Sequence, residues 1–222
     1  MKTRNQNRLY AAVCLLAAFV LWTVALRVID VRAIGPCGSS VGFAALNRSV
    51  HALTGVRMTL YTITDWLGLV PIGTAMGFAL LGLVQWTRRK KLSMVDHSLF
   101  VLGGFYLVVA ATFVLFEVMV VNFRPVLIEG VLEASYPSST TLLVTCVMPT
   151  AALQLRDRIK SAWVRRCVTL LIASFVAFMV IGRLLSGVHW VTDIIGGALL
   201  SAGLVALYAF VVGCTTDRQE KL

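Results

Sequence analysis

The chain has 222 residues, of which 59% are hydrophobic and only 14% charged, and its mean hydropathy is +0.86. Soluble domains carry about a quarter charged residues, so an ordinary soluble fold is excluded and a bilayer, which rejects charge, is indicated. The net charge of +10 does not mark a nucleic-acid partner, because the basic residues fall in short clusters between apolar runs, as in loops held at an anionic leaflet.

The first apolar run, Leu9–Leu26, follows a basic start and holds 18 uncharged residues. It is longer than a signal-peptide core, and Arg27-Val28-Ile29-Asp30 follows it instead of a small-x-small cleavage site. The reading is an uncleaved anchor. Residues 36–65 form an outer amphipathic segment. Within it Phe43, Leu46, Val50 and Leu53 recur at helical spacing after Ser39 and Ser40, which predicts a helix lying in the interface. Such a helix would either guide a lipid toward a site or cover the bundle. Five further apolar runs follow: Trp66–Thr87, Ser98–Phe116, Tyr136–Leu155, Cys167–Gly182 and Ile194–Thr216. Backbone polar groups in lipid must be satisfied internally, so these runs are predicted helices. Cys167–Gly182 is short for a span of about 20 residues, and relies on Arg165 and Arg166 snorkelling to the surface. In the last run Gly197 with Ser201, and Ala198 with Ala202, permit close helix packing within the bundle.

The expected fold is therefore an all-α integral membrane protein, a six-transmembrane-helix bundle forming one domain over 1–222. Fourteen of the twenty Lys and Arg residues fall on one side: Lys2, Arg4 and Arg8; Arg88 to Lys91; Arg156, Arg158, Lys160, Arg165 and Arg166; Arg218 and Lys221. The positive-inside rule makes that side, with both termini, cytoplasmic. The five cysteines, Cys14, Cys37, Cys146, Cys167 and Cys214, have no CxxC spacing. They read as small apolar packing residues, with no disulfide framework and no metal site expected.

The chemistry-bearing residues collect on the other side. One outer segment runs from Glu117 through Arg124-Pro125 to Tyr136-Pro137-Ser138-Ser139-Thr140. Another reads Gly182-Arg183, then Ser186-Gly187, then His189 and Asp193. His189 and Asp193 are four apart and would share one helical face, and a carboxylate there fixes the tautomer of a nucleophilic imidazole. Arg124 and Arg183 offer guanidinium forks that match phosphate. Pro125 and the Ser186-Gly187 pair break the helices around them. The set points to phosphate handling.

Arg-x5-His-x3-Asp, preceded by Arg-Pro and Pro-Ser-Ser, resembles the type 2 phosphatidic acid phosphatase and vanadium haloperoxidase superfamily. The family pattern is Lys-x6-Arg-Pro, then Pro-Ser-Gly-His, then Ser-Arg-x5-His-x3-Asp. The resemblance covers roughly residues 98–213. It implies that His189 attacks phosphorus and carries a phosphohistidine, that Asp193 orients it, and that Arg124 and Arg183 bind the equatorial oxygens. Ser138 and the amide of Ser139 would add hydrogen bonds. Neither cofactor nor metal is implied, and family members act on lipid phosphates or diphosphates, often from the outer face.

Two positions depart from the pattern. Glu117 stands for the family lysine, and Thr140 for the histidine that protonates the leaving group. Ser139 for glycine and Gly182 for serine are milder changes. Thr140 cannot supply a proton near neutral pH. His51 could substitute only if the fold brings it to the site, and His97 falls on the cytoplasmic side. Glu117 would either hold its proton through desolvation and donate it, or pair with an arginine. A site without its acid favours a good leaving group, so a polyprenyl diphosphate is expected over phosphatidate. The expected function is a hydrolase of phosphoric esters or anhydrides in lipids, with its site at the extracytoplasmic face of the cell membrane. Its only partners would be the phosphorylated lipid and the bilayer, with no obligate protein partner. The alternatives are a lipid phosphotransferase and a catalytically impaired protein that binds phosphorylated lipid.

Overall fold

The computed structural model describes residues 2–219. Lys221, counted on the basic side, lies outside the described residues, as do the side chains of Lys2, Arg4 and Arg218. The chain is mostly helical. The helices are α1 (Lys2–Val28), α2 (Ala44–Thr54), α3 (Met58–Leu67), α4 (Leu69–Arg89), α5 (His97–Val118), α6 (Ser139–Arg158), α7 (Ala162–Leu185) and α8 (Val191–Gln219). Two short antiparallel strands, β1 (Arg32–Ala33) and β2 (Ser40–Val41), close the loop after α1.

Five segments are long and apolar enough to cross a membrane: Asn5–Val28, Met58–Arg89, His97–Val118, Ala162–Leu185 and Val191–Thr215. Their outer faces leave large apolar side chains uncovered by protein, among them Leu21, Leu107 and Leu171 at 70%, 73% and 71% exposure. Such surface belongs against lipid. The chain is thus a multi-pass membrane protein.

Three expectations change. The second run begins at Met58, not Trp66, because α3 continues through the turn at Gly68 into α4. Asp65, which interrupts the run in the sequence, lies inside it and pairs with an arginine of another helix. The fifth run extends to Ala162–Leu185, so its length is no longer marginal. The run Tyr136–Leu155 becomes α6 but is not apolar enough to qualify with the other five. The reason is its position, enclosed by α4, α5, α7 and α8. Thr150 and Gln154 are buried there with their side chains hydrogen-bonded to protein, and Thr141 is buried against α8, none of them left facing lipid.

α1 lies antiparallel along α8, with Arg8 Nη1 donating to Ala209 O and Trp22 Nε1 to Thr192 O. Gly197 and Ser201 let α6 and α8 meet closely: a Cβ on Gly197 would touch Thr141 at 3.3 Å, and Thr145 Oγ1 donates to Ser201 Oγ at 2.6 Å. In α2 the protein-facing residues are Ala44 and Asn47, while Leu46 and Leu53 point outward at 43% and 85% exposure. The predicted stripe is therefore divided: Leu46 and Leu53 are turned away from the protein, while Phe43 stacks on Trp22. Asn47 Nδ2 bonds Thr192 Oγ1 at the start of α8.

A polar knot ties the helices at the end where α4 meets α5 and α6 meets α7. Gln154 Nε2 donates to Ser98 O at 3.0 Å and to the Tyr208 hydroxyl at 2.7 Å, and Gln154 Oε1 accepts from Arg158. Arg158 also pairs with Asp96. Replacing buried Gln154 by Leu removes these partners at once and leaves their polar groups unsatisfied. Gln154→Leu is expected to destabilise the fold by on the order of 2 kcal/mol, read as a lower melting temperature in detergent. An unchanged melting temperature would show that the knot is dispensable.

Candidate active site

The loop between α5 and α6 folds back on itself. Ile128 and Val131 exchange backbone hydrogen bonds around Glu129 and Gly130, both with positive φ, as a two-residue hairpin turn requires. Farther from the turn Arg124 N donates to Glu133 O, and Ser135 N to Asn122 O. This register sets Asn122 beside Ser135 and Arg124 beside Glu133. Both pairs serve one buried centre, completed by the turn between α7 and α8.

That turn is held from outside. Gly187 has φ +70, and a Cβ there would lie 1.8 Å from Gly55 O, so only glycine fits. Arg57 N donates to Ser186 O, and His51 Nε2 meets Gly187 O at 3.1 Å. His51 thus supports the turn from behind. His97 begins α5 at the far end of the bundle.

His189 lies just before α8, not on it, and Asp193 sits in the first turn of that helix. Both are buried, at 3% and 0% exposure. Nδ1 of His189 and Oδ2 of Asp193 are 3.9 Å apart, too far for a direct hydrogen bond. Ser135 stands between them. Its hydroxyl donates to Asp193 Oδ2 in a short hydrogen bond and lies 3.3 Å from His189 Nδ1. A hydroxyl has one proton. With that proton directed at Asp193, the serine oxygen must accept from His189, which places the imidazole proton on Nδ1. Nε2 then keeps its lone pair, and Arg183 Nη2 faces it at 3.5 Å as a donor. Burial, followed by the charges of Arg183 and Arg124, holds the His189 pKa well below the ordinary imidazole value. The ring is neutral at neutral pH, as a nucleophile must be.

Asp193 has three further attachments. Asn122 Nδ2 donates to Oδ1 at 3.1 Å, Trp190 N donates to Oδ2 at 3.0 Å, and its carbonyl accepts from Ser138 N. The last contact docks the start of α6 on the centre. Ser138 is fully buried and its hydroxyl caps α6 by accepting from Thr141 N. The next amides, of Ser139 and Thr140, are ones a helix leaves without internal acceptors, so an anion is favoured there.

Arg183 is 1% exposed and Arg124 8%. Each has a carboxylate at one edge: Arg183 Nη1 is 3.5 Å from Asp65 Oδ1, and Arg124 Nε is 3.0 Å from Glu133 Oε2. Both guanidinium carbons lie over the Tyr61 ring, 4.9 Å and 5.8 Å from its centroid, within cation–π range. Arg124 Nη1 and Arg183 Nε still make no hydrogen bond. Buried donors without acceptors are costly, and two such cations side by side repel. An oxyanion between them would relieve both penalties.

Glu117 is exposed near the end of α5 and pairs with no arginine among the described residues, so the expected ion pair is not formed. It lines a small cleft with Ser135, Tyr136 and Ser139. Thr140 and Ser139 lie with Asp65 at one end of an apolar cavity of about 460 Å³ between α4, α5 and α6. A second cavity of about 310 Å³ continues along α4 and α5, sharing Ala75 and Tyr106 with the first and reaching Trp86. From Asp65 to Trp86 the track is about 30 Å long at helical rise.

Residues 123–215 match the family model described as the PAP2 superfamily. This segment belongs to the PAP2 superfamily. A crystal structure described as the first transmembrane PAP2-type phosphatidylglycerolphosphate phosphatase from Bacillus subtilis matches the fold with a TM-score of 0.54. It covers 90% of this chain and 94% of that one at 20% identity. No curated protein sequence matches the chain. The PAP2 segment holds Arg124, Ser138, Ser139, Arg183, His189 and Asp193, which the structure brings together. Ser135 and Asn122, which bond Asp193, were missed by motif reading, as were Tyr61, Thr64 and Asp65 beside Arg183.

Ser135→Ala removes the group that sets the imidazole proton while Asn122 and Trp190 still hold Asp193. It is expected to lower kcat by on the order of 10- to 100-fold with little change in KM, and to lower the melting temperature as well, because buried Asp193 loses one donor. Unchanged kcat would show that His189 and Asp193 suffice without a bridge.

Proposed function

We propose that the chain is a membrane lipid phosphatase or diphosphatase, working through a phosphohistidine on His189 at the extracytoplasmic face of a cell membrane. In this reading α6 also spans, giving six transmembrane helices with both termini cytoplasmic. Positive-inside counting of the basic loops supports that orientation. The observation that carries the chemistry is the pair of buried guanidiniums with unpartnered N–H groups flanking a neutral imidazole.

His189 Nε2 attacks phosphorus, and the bond from phosphorus to the leaving oxygen breaks. Arg124 and Arg183 hold the equatorial oxygens as charge redistributes, helped by Ser138, Ser139 and the first amides of α6. Asp193, through Ser135, stabilises the imidazole as it becomes cationic. Water then attacks the phosphohistidine, releasing phosphate and restoring neutral His189.

Thr140 sits where the PAP2 pattern has its leaving-group acid. Expelling an alkoxide needs a proton, whereas expelling a phosphate does so far less. A polyprenyl diphosphate is therefore the favoured substrate over phosphatidate, and the apolar track of about 30 Å suits a long chain. Phosphate release by purified protein, measured side by side on the two lipids, is expected to be faster from the diphosphate. Thr140→His is expected to raise phosphatidate hydrolysis by about tenfold or more. Equal or faster turnover of phosphatidate by the parent would contradict the preference, and no gain from histidine would mean another group gives the proton. No release from either lipid would favour a protein that binds phosphorylated lipid without cleaving it.

A further inference from the structure

The end of the bundle opposite His189 carries a second feature built for anions. α6 and α7 are joined by three residues, and between their adjoining ends lies an open groove of about 830 Å³. Arg156, Arg165 and Arg166 line it, together with Trp163, Leu153 and Leu170. None of these three guanidiniums has an ion-pair or side-chain hydrogen-bond acceptor among the described residues, and no carboxylate lines the groove. The contrast with Arg158 is direct, since that residue spends its donors on Gln154 and Asp96.

We propose that this groove binds the headgroup of an anionic glycerophospholipid. The charge calls for phosphate. The apolar part calls for more than free phosphate: Leu153 and Leu170 are 38% and 62% exposed, and Trp163 is 75% exposed. An indole and two leucines beside three arginines match the boundary where headgroup meets acyl chain. α6 is 20 residues long, so the groove lies about 30 Å from its first turn at the candidate active site, and a lipid here is not the substrate. It would bridge α6 and α7, the helices that carry Ser139 and Arg183.

The test separates a built site from the general attraction of basic loops. The control is the cluster Arg88, Arg89, Lys90 and Lys91, which has four charges but lies outside the groove. Detergent-purified protein is titrated with phosphatidylglycerol or with phosphatidylcholine of the same chains, and bound lipid is counted by native mass spectrometry. Phosphatidylglycerol is expected to bind at least tenfold more tightly. Arg156→Ala, Arg165→Ala and Arg166→Ala together are expected to abolish that difference, and Arg156→Gln alone to weaken it on the order of fivefold. Alanine at all four control positions is expected to leave it standing. The single substitution, at an exposed residue, keeps the test meaningful if the triple variant fails to fold. Equal binding of the two lipids by the parent overturns the proposal. So does equal loss in the groove and control variants, or displacement of the lipid by an equal concentration of inorganic phosphate.

Discussion

Asp193 is a carboxylate with no exposed surface, in a protein that offers little water to stabilise it. Burying such a group is tolerable only when every lone pair finds a donor. Here three donors come from two separate parts of the chain: Asn122 and Ser135 from the hairpin after α5, and the amide of Trp190 from the turn before α8. Satisfying Asp193 therefore fixes the hairpin against the turn. The Asp193 carbonyl then receives Ser138 N and seats the first turn of α6. The imidazole orientation, the position of Arg124 and the helix terminus all follow from one buried charge.

The arginines show the complementary situation. They are buried as deeply but deliberately under-satisfied by protein, with carboxylates only at their outer edges and an aromatic ring beneath. A centre with a saturated anion and two unsaturated cations has an unfilled demand for negative charge, next to a nitrogen lone pair kept free of protons. The demand is met by a phosphoryl group better than by a carboxylate, because a phosphoryl group presents oxygens to both forks at once. The apolar track begins at Thr140 and at Asp65, the carboxylate at the edge of Arg183, so headgroup and chain would be received by different surfaces of one molecule.

Much of this was legible in the sequence because membrane helices and phosphate sites obey strong local rules. Apolar runs located the long helices, and Arg183, His189 and Asp193 do meet at one centre, but His189 precedes α8 instead of sharing a face of it, and Ser135 stands between it and Asp193. What escaped depends on tertiary register. The turn at Glu129-Gly130 could have flagged a hairpin, but extrapolating from it would set Arg124 across from Ser135. The first arm instead carries two extra residues, around Pro125, which cannot donate to a ladder. Arg124 consequently meets Glu133, and Asn122 meets Ser135. Asp65 was read as the edge of an apolar run because a charge ordinarily ends one, whereas here an arginine from α7 accompanies it. α6 was read as one more apolar run like the others, whereas its threonines and Gln154 are tolerated because other helices surround it. The Glu117–arginine pair, one of the two alternatives for that residue, does not form for a related reason, since Glu133 and Asp65 already occupy the arginine edges.

The central claim is that His189 becomes covalently phosphorylated. Rapid quenching of the protein with a lipid diphosphate labelled in its terminal phosphate, followed by peptide mass spectrometry under alkaline conditions, tests it directly. An acid-labile, base-stable phosphoryl group is expected on residue 189 and is absent from His189→Asn. Phosphate release that continues undiminished in His189→Asn, with no label on the protein, would contradict it.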